Sequence, residues 1–230
     1  KRVNGIPVLI NRNLIRDKKN IPIIKRFISD AAKWKREKFI ILDLRSNQGG
    51  YDVYAKEWVK GFTGLNPQSG VFESKLITNT ALKASKNYCE SVGVYNSSTY
   101  LKLYQTFSSD KQCKGWERVK SSFPKLISNQ SQLIVLIDPY TASAGEHFIT
   151  YLRQLNNVYF IGLNTAGCMI SGDIGWCELP HSKLVIQAGR YLRLEPDFVN
   201  RDGMGYIPDI WVDPEHALEY AIRFIQKYML

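Results

Sequence analysis

No apolar run in these 230 residues approaches the roughly 20 needed to cross a bilayer as a helix, so no membrane-spanning helix is expected in this stretch of chain. Cysteine is sparse, with only Cys89, Cys113, Cys168 and Cys177. These form no CxxC pair and no Cys/His spacing suited to zinc, and neither a metal site nor another cofactor is expected. The chain also lacks a basic block. Its formal charge is +10, yet the lysines and arginines are scattered, as in "RDKK" and "KWKREK", and no nucleic-acid-binding module is recognisable. A solvated basic surface is the simpler reading, and no nucleic-acid partner is expected. Internal repeats and low-complexity tracts are missing. The opening "KRVNG" has neither an initiator methionine nor a signal peptide, which predicts a front trimmed or processed from something longer.

Hydrophobic residues make up 44% of the chain, enough to bury one sizeable core or one core with a small appendage; a single domain is expected. "GIPVLINRN" (5–13) reads as a strand. In "IPIIKRFISDAAKWKREK" (21–38), Ile24, Phe27, Ile28 and Ala31 fall on one helical face. "FIILDL" (39–44) is a continuous apolar strand of the kind buried on both faces of an α/β sheet, which completes a β-α-β start. A helical pattern resumes in "YDVYAKEWVKGF". From about 66 to 123 the character turns polar and mostly helical, around "TALKASKNYCESV", "STYLKLYQTF" and "WERVKSSF", and reads as an insertion. The core returns with the strand "QLIVLI", the helix "AGEHFITYLRQL" and the strand "VYFIG". Short strands near 174–178, 183–187 and 190–194 and a final amphipathic helix from 214 to about 228 follow.

Two strand-to-loop turns carry the chemistry. "TASAGEHF" (141–148) places Ser143 between a buried strand and a helix start, where its hydroxyl is presented and the backbone N–H groups that follow can hold a developing oxyanion. The same serine also fits an N-cap, with Glu146 three residues on as in a capping box. "LDLRSNQGG" ends another buried strand with Gly49 and Gly50, which allow close backbone approach and offer an N–H without side-chain obstruction. It could equally be an ordinary glycine turn. Together the two turns could supply the halves of one oxyanion hole.

Four motifs, "FIILDLRSNQGG", "LIVLIDPYTASAGE", "IGLNTAG" and "GMGYIPDIWV", in this order and spacing, resemble the S41 peptidases, the group of C-terminal processing proteases and their tricorn-like relatives. The resemblance spans nearly the whole chain outside the insertion. It implies an α/β fold with a ClpP/crotonase-like core, hydrolysis of protein or peptide substrates through an acyl-enzyme on Ser143, and an oxyanion hole from the backbone of Gly49, Gly50 and Ala144. It also implies an N-terminal family region, PDZ or helical, that precedes this chain. One departure matters. The processing proteases carry a catalytic lysine directly after the turn that matches "TAG" (165–167), and here that position is Cys168, with no lysine between Gln154 and Ser182. A thiol with its usual pKa near 8.5 is a poor replacement. The tricorn-like branch instead takes a histidine from the region before the core and an acid before the "G-x-x-PD" turn. By position that acid is Asp202, and the histidine would lie upstream of Lys1.

Among the three histidines present, His147 lies one turn after Ser143 but on a helix that would carry its side chain along the axis. His181 and His216 read as surface or capping residues, and Asp209 as a turn-fixing residue. The even cysteine count is compatible with Cys89–Cys113 and Cys168–Cys177 bridges in an oxidising compartment, or with free thiols. The location expected is extracytoplasmic: periplasm, envelope or secreted. Three other functions fit less of the pattern: an S41-fold module that binds peptide without cutting it, a crotonase-type acyl-CoA enzyme, and a carbohydrate- or envelope-binding domain.

Overall fold

The computed structural model describes residues 1–91, 115–119 and 123–228. The chain divides into two compact units: residues 1–70, 122–169 and 200–230 form the first, and 71–121 with 170–199 the second.

The first unit is built on a six-stranded sheet. Its strands are β1 (Arg2–Val3), β2 (Ile6–Ile10), β3 (Phe39–Asp43), β6 (Gln132–Ile137), β7 (Val158–Gly162) and β10 (Ile210–Trp211), in the spatial order β1-β2-β3-β6-β7-β10. All pairings from β2 to β10 are parallel, and β1 alone turns back antiparallel on β2. Helices α1 (Asn20–Trp34), α2 (Val53–Thr63), α4 (Ala144–Leu152) and α5 (Ala217–Tyr228) complete the unit.

Period-two alternation explains why β3 and β6 are apolar at nearly every position. Ile40, Leu42, Leu133, Val135 and Ile137 face a core shared with α1, α2 and α4. Their neighbours Phe39, Ile41, Ile134 and Leu136 face a second core closed by Ala217, Ala221, Ile222 and Ile225 of α5. A sheet covered on both faces leaves no position for a polar alternate. On the first face, Trp58 stacks on Phe62 and Phe27 and meets Phe148 edge-on, at ring separations of 5.1, 5.6 and 5.5 Å. This aromatic block fixes α4, the helix that carries the turn of interest, against α1 and α2.

Asp43 ends β3 with its side chain almost wholly buried between two guanidinium groups. Arg12 Nη2 donates at 2.6 Å, and Arg45 donates through Nη2 at 2.7 Å and Nε at 2.8 Å. Arg45 also donates to the Pro214 carbonyl, tying the sheet's edge to the chain that enters α5. Burial alone would raise the Asp43 carboxyl, but hydrogen bonds from Arg45 and Arg12 outweigh it and hold the group at about 2, below its usual 3.8. A depressed folded value gives stability that is present in full above the unfolded pKa and lost as pH falls from about 4 through about 2. Asp43→Asn is therefore expected to lower unfolding free energy by about 2–4 kcal/mol at pH 7. Urea titration should show the gap from wild type narrowing below pH 4. A pH-independent gap would assign the loss to packing.

In the second unit, β4 (Phe72–Ile77), β5 (Gly115–Val119), β8 (Ser171–Glu178) and β9 (Val185–Leu194) form an antiparallel sheet in the order β5-β4-β9-β8. Helix α3 (Asn79–Ser91) lies on β8, close enough that a Cβ at Gly175 would meet the Ala84 backbone at 2.8 Å.

Several expectations are corrected here. The described part of 66–123 is only half helical: α3 has 13 residues, but β4 and β5 supply 6 and 5. "WERV" is β5, an edge strand registered against Glu73–Leu76. Its alternation of ring, charge and β-branched side chain satisfies a ladder as well as a helix, and only the partner strand decides between them. "STYLKLYQTF" lies outside the described residues. The strands expected at 183–187 and 190–194 are one continuous strand, β9. Cys168 and Cys177, expected as a possible bridge, are free thiols. Cys113, the expected partner of Cys89, lies outside the described residues. No helix among the described residues is long and apolar enough to cross a membrane.

Candidate active site

Three turns at the C-terminal edge of the parallel sheet converge on Ser143, all within the first unit. The first leaves β6. Asp138 is buried and accepts the Ser46 N–H at 2.9 Å, the Tyr140 N–H at 3.1 Å and the Thr141 hydroxyl at 3.0 Å, which clamps the start of the turn. The chain then enters α4 through Ser143 at φ +53°, ψ −119°. A non-glycine residue held there costs on the order of 1–3 kcal/mol and persists only where its surroundings over-determine it. Here Ser143 is exposed while every residue of α4 behind it is buried. The sharp turn leaves Ser143 exposed at the head of a buried helix.

The second turn leaves β3. The Asn47 carbonyl accepts the Ala142 N–H at 2.9 Å. Gly49, at φ +95°, presses so closely on the serine turn that a Cβ would lie 2.8 Å from the Ala142 oxygen and the Ala144 nitrogen and 2.9 Å from the Ser143 Cβ. Only glycine fits. Of the glycine pair, Gly49 is already committed, because its N–H donates to Asn47 Oδ1 at 3.0 Å. The N–H groups of Gly50 and Ala144 have no acceptor among the described residues. Of the three backbone positions expected from the sequence, Gly49, Gly50 and Ala144, the first thus has its N–H occupied within its own turn.

The third turn, Thr165 to Cys168, is tied to the first by the Ala166 N–H on the Thr141 carbonyl at 2.9 Å and, above all, by Glu146. This carboxylate is completely buried. Its Oε1 accepts the Thr165 hydroxyl at 2.6 Å and the Gly167 N–H at 2.8 Å. Its Oε2 accepts the Cys168 N–H at 2.8 Å and the Ser143 N–H at 3.1 Å. The capping-box spacing visible in the sequence thus accounts for one of four bonds. The other three reach across the fold and have no local signal.

Asp202 is exposed in the loop that packs on this third turn, where the Gly203 N–H donates to the Gly167 carbonyl at 3.0 Å and the Tyr206 N–H to the Thr165 hydroxyl at 2.8 Å. Cys168 occupies the position discussed above for a lysine. Partial desolvation pushes its thiol up, and the negative charges of Glu146 and Asp202 push the same way, so the thiol stays protonated at neutral pH.

His147 points away from Ser143's turn in bonding terms. Its Nδ1 lies 2.9 Å from Asp52 Oδ2, and its ring stacks on Tyr151 at 4.6 Å. His181 and His216 are exposed. Asp209 accepts the Phe160 N–H at 2.8 Å and so pins β10 to β7, a structural role. No cluster of His, Cys, Asp or Glu among the described residues could hold a metal ion.

An exposed serine on a strained strand-to-helix turn, at the edge of a mainly parallel α/β sheet, marks this end of the first unit. The profile of Peptidase family S41 matches residues 18–210, and the chain belongs to that family. Solved structures share the fold at low identity. A peptidase candidate from Parabacteroides merdae is 17% identical with a TM-score of 0.60, covering 97% of this chain and 62% of its own. Mature CPAF complexed with lactacystin is 13% identical with a TM-score of 0.62, covering 95% and 50%. The photosystem II D1 C-terminal processing protease is 14% identical with a TM-score of 0.51, covering 91% and 43%. The chain therefore spans between about two fifths and three fifths of the length of these relatives.

Proposed function

We propose that this chain is the core of a serine peptidase in which Ser143 attacks the carbonyl of a peptide substrate. The observation that carries the reading is the conformation of Ser143: exposed at φ +53° at the head of a buried helix, with the Ala144 and Gly50 N–H groups without an acceptor among the described residues. The oxyanion of the tetrahedral intermediate is held by those two donors, placed in advance and backed by a rigid sheet. Collapse expels the amine and leaves an acyl-enzyme, which water releases. Asp202 completes the site as the acid that orients the base. That base comes from the segment upstream of Lys1, as a histidine, since Cys168 stands in the lysine position and holds its proton.

Membership of a peptidase family and the fold shared with proteases support a peptide or protein substrate. An envelope or secreted setting is consistent with the likeness to a lipoprotein from Streptococcus agalactiae, 15% identical with a TM-score of 0.55 over 100% of this chain and 69% of that one. The fold likeness alone carries no location. A second reading, an S41-fold module that holds peptide without cutting it, is favoured by one observation, the cysteine at 168.

A fluorophosphonate probe separates the two readings. The full-length protein should become labelled, and its Ser143→Ala variant should not. Equal labelling of both removes Ser143 from the chemistry, and no labelling of the folded wild type favours the binding module.

A further inference from the structure

The Gly50 and Ala144 N–H groups belong to different turns, so their spacing depends on what joins the turns. On the near side of Gly50 the joint is made by Asn47 and Gly49, through the Ala142 N–H bond to the Asn47 carbonyl and the close packing of Gly49 on residues 142–144. Gly145 adds to it, because a Cβ there would lie 2.6 Å from the Asn47 carbonyl oxygen. On the far side His147 meets Asp52, from the first turn of α4 to the residue that precedes α2. Gly50 is bracketed between them.

The chemistry of the pair suits a fixed joint. His147 is 6% exposed and Asp52's side chain 37%. Nδ1 faces the carboxylate and so carries the ring proton, while Nε2 is buried with no hydrogen-bond partner among the described residues. Buried and without a bond to Ser143, Nε2 is not placed to take the serine's proton in this arrangement. The imidazole is locked by Asp52 and by its stack on Tyr151, so it works through what it holds.

We propose that His147 and Asp52 form a positioning clamp that sets the separation of the Gly50 and Ala144 N–H groups, and hence the fit of the site to an oxyanion. The proposal rests on the Ser143 reading above. His147 is then a positioning residue for the serine step. Displacing an oxyanion donor by a fraction of an ångström weakens transition-state binding while leaving ground-state binding alone.

The test uses the full-length protein and a fluorophosphonate probe, whose phosphoryl oxygen occupies the oxyanion position after attack. Labelling is resolved into the limiting rate and the half-saturating probe concentration, and the labelled fraction is read separately. Asp52→Ala and His147→Leu are each expected to lower the limiting rate by about 10- to 100-fold with the half-saturating concentration unchanged. The double variant should be no slower than the slower single one, as two ends of one bond require. Asp52→Asn keeps an acceptor for the Nδ1 proton and should restore the rate to within about threefold of wild type. A merely destabilised protein would lose labelled fraction and keep its rate. Because Asp52 is partly exposed, its alanine variant carries the test even if His147→Leu does not fold. A wild-type limiting rate in Asp52→Ala, a change confined to the half-saturating concentration, or multiplied losses in the double variant would overturn the clamp. Labelling that persists in Ser143→Ala would instead overturn the serine reading beneath it.

Discussion

Glu146→Gln is expected to destabilise the first unit by about 3–5 kcal/mol and to slow labelling of Ser143 at least tenfold, although the side chain barely changes in size. Four donors converge on this carboxylate, from Ser143, Thr165, Gly167 and Cys168. A glutamine offers one oxygen in place of two and turns an amide NH2 toward the other pair of donors. Two buried groups then lose their acceptor, at about 1–3 kcal/mol each, and face a like dipole as well. If the amide oxygen stays with Thr165 and Gly167, the orphaned groups are the Ser143 and Cys168 N–H groups, and the serine turn loses its anchor to the third loop. Chemical denaturation of the variant, with probe labelling under fully folded conditions, measures both effects. A loss under 1 kcal/mol would mean that the turns are held together by packing and not by the Glu146 carboxylate.

Gly50→Ala should cost more. Gly50 sits at φ +135°, a region nearly closed to residues with a side chain, and its added Cβ would fall within the backbone of Leu14. The obstruction cannot swing aside. The Leu14 N–H donates to the Gly49 carbonyl and its carbonyl accepts the Tyr51 N–H, both at 2.8 Å. The variant must therefore break this bridge, at a loss of several kcal/mol, or move the turn and take the Gly50 N–H away from the oxyanion position. For a folded protein of the second kind, labelling of Ser143 should fall by at least about 100-fold, the usual effect of removing one oxyanion donor. Labelling within tenfold of wild type in a folded Gly50→Ala protein would assign the second donor to another group.

Periodicity makes much of the first unit legible in the sequence. "QLIVLI" and "VYFIG" are the strands observed, residue for residue, and "FIILD" differs from its expectation by one terminal position. Such runs can only be strands buried on both faces, because neither face tolerates a polar alternate. Ser143 and the glycine pair were legible for another reason: each solves a backbone problem that few residue types can solve, and so leaves a local mark. The second unit was legible only in part: the strand expected near 174–178 lies within β8 and the helix expected around "TALKASKNYCESV" is α3, but the pairing of its strands was not legible. "WERV" and the residues at 171–199 carry mixed, half-exposed patterns whose meaning depends on a partner strand distant in the chain. The antiparallel register of β4 with β5 and β9 is what assigns them.

The sequence by itself determined the parallel sheet, the serine turn and the glycine turn, because apolar alternation, strand length and glycine's access to positive φ are properties of neighbouring residues. Tertiary structure alone decided that Glu146 joins three turns, that Asp52 meets His147, that Gly49's N–H is spent on Asn47 while Gly50's is open, and that Cys168 and Cys177 remain thiols. Each of these is a polar contact, or the lack of one, between groups that the chain brings together only when it closes on itself. The energy of such a contact depends on burial and a few tenths of an ångström, and neither quantity is written along the chain.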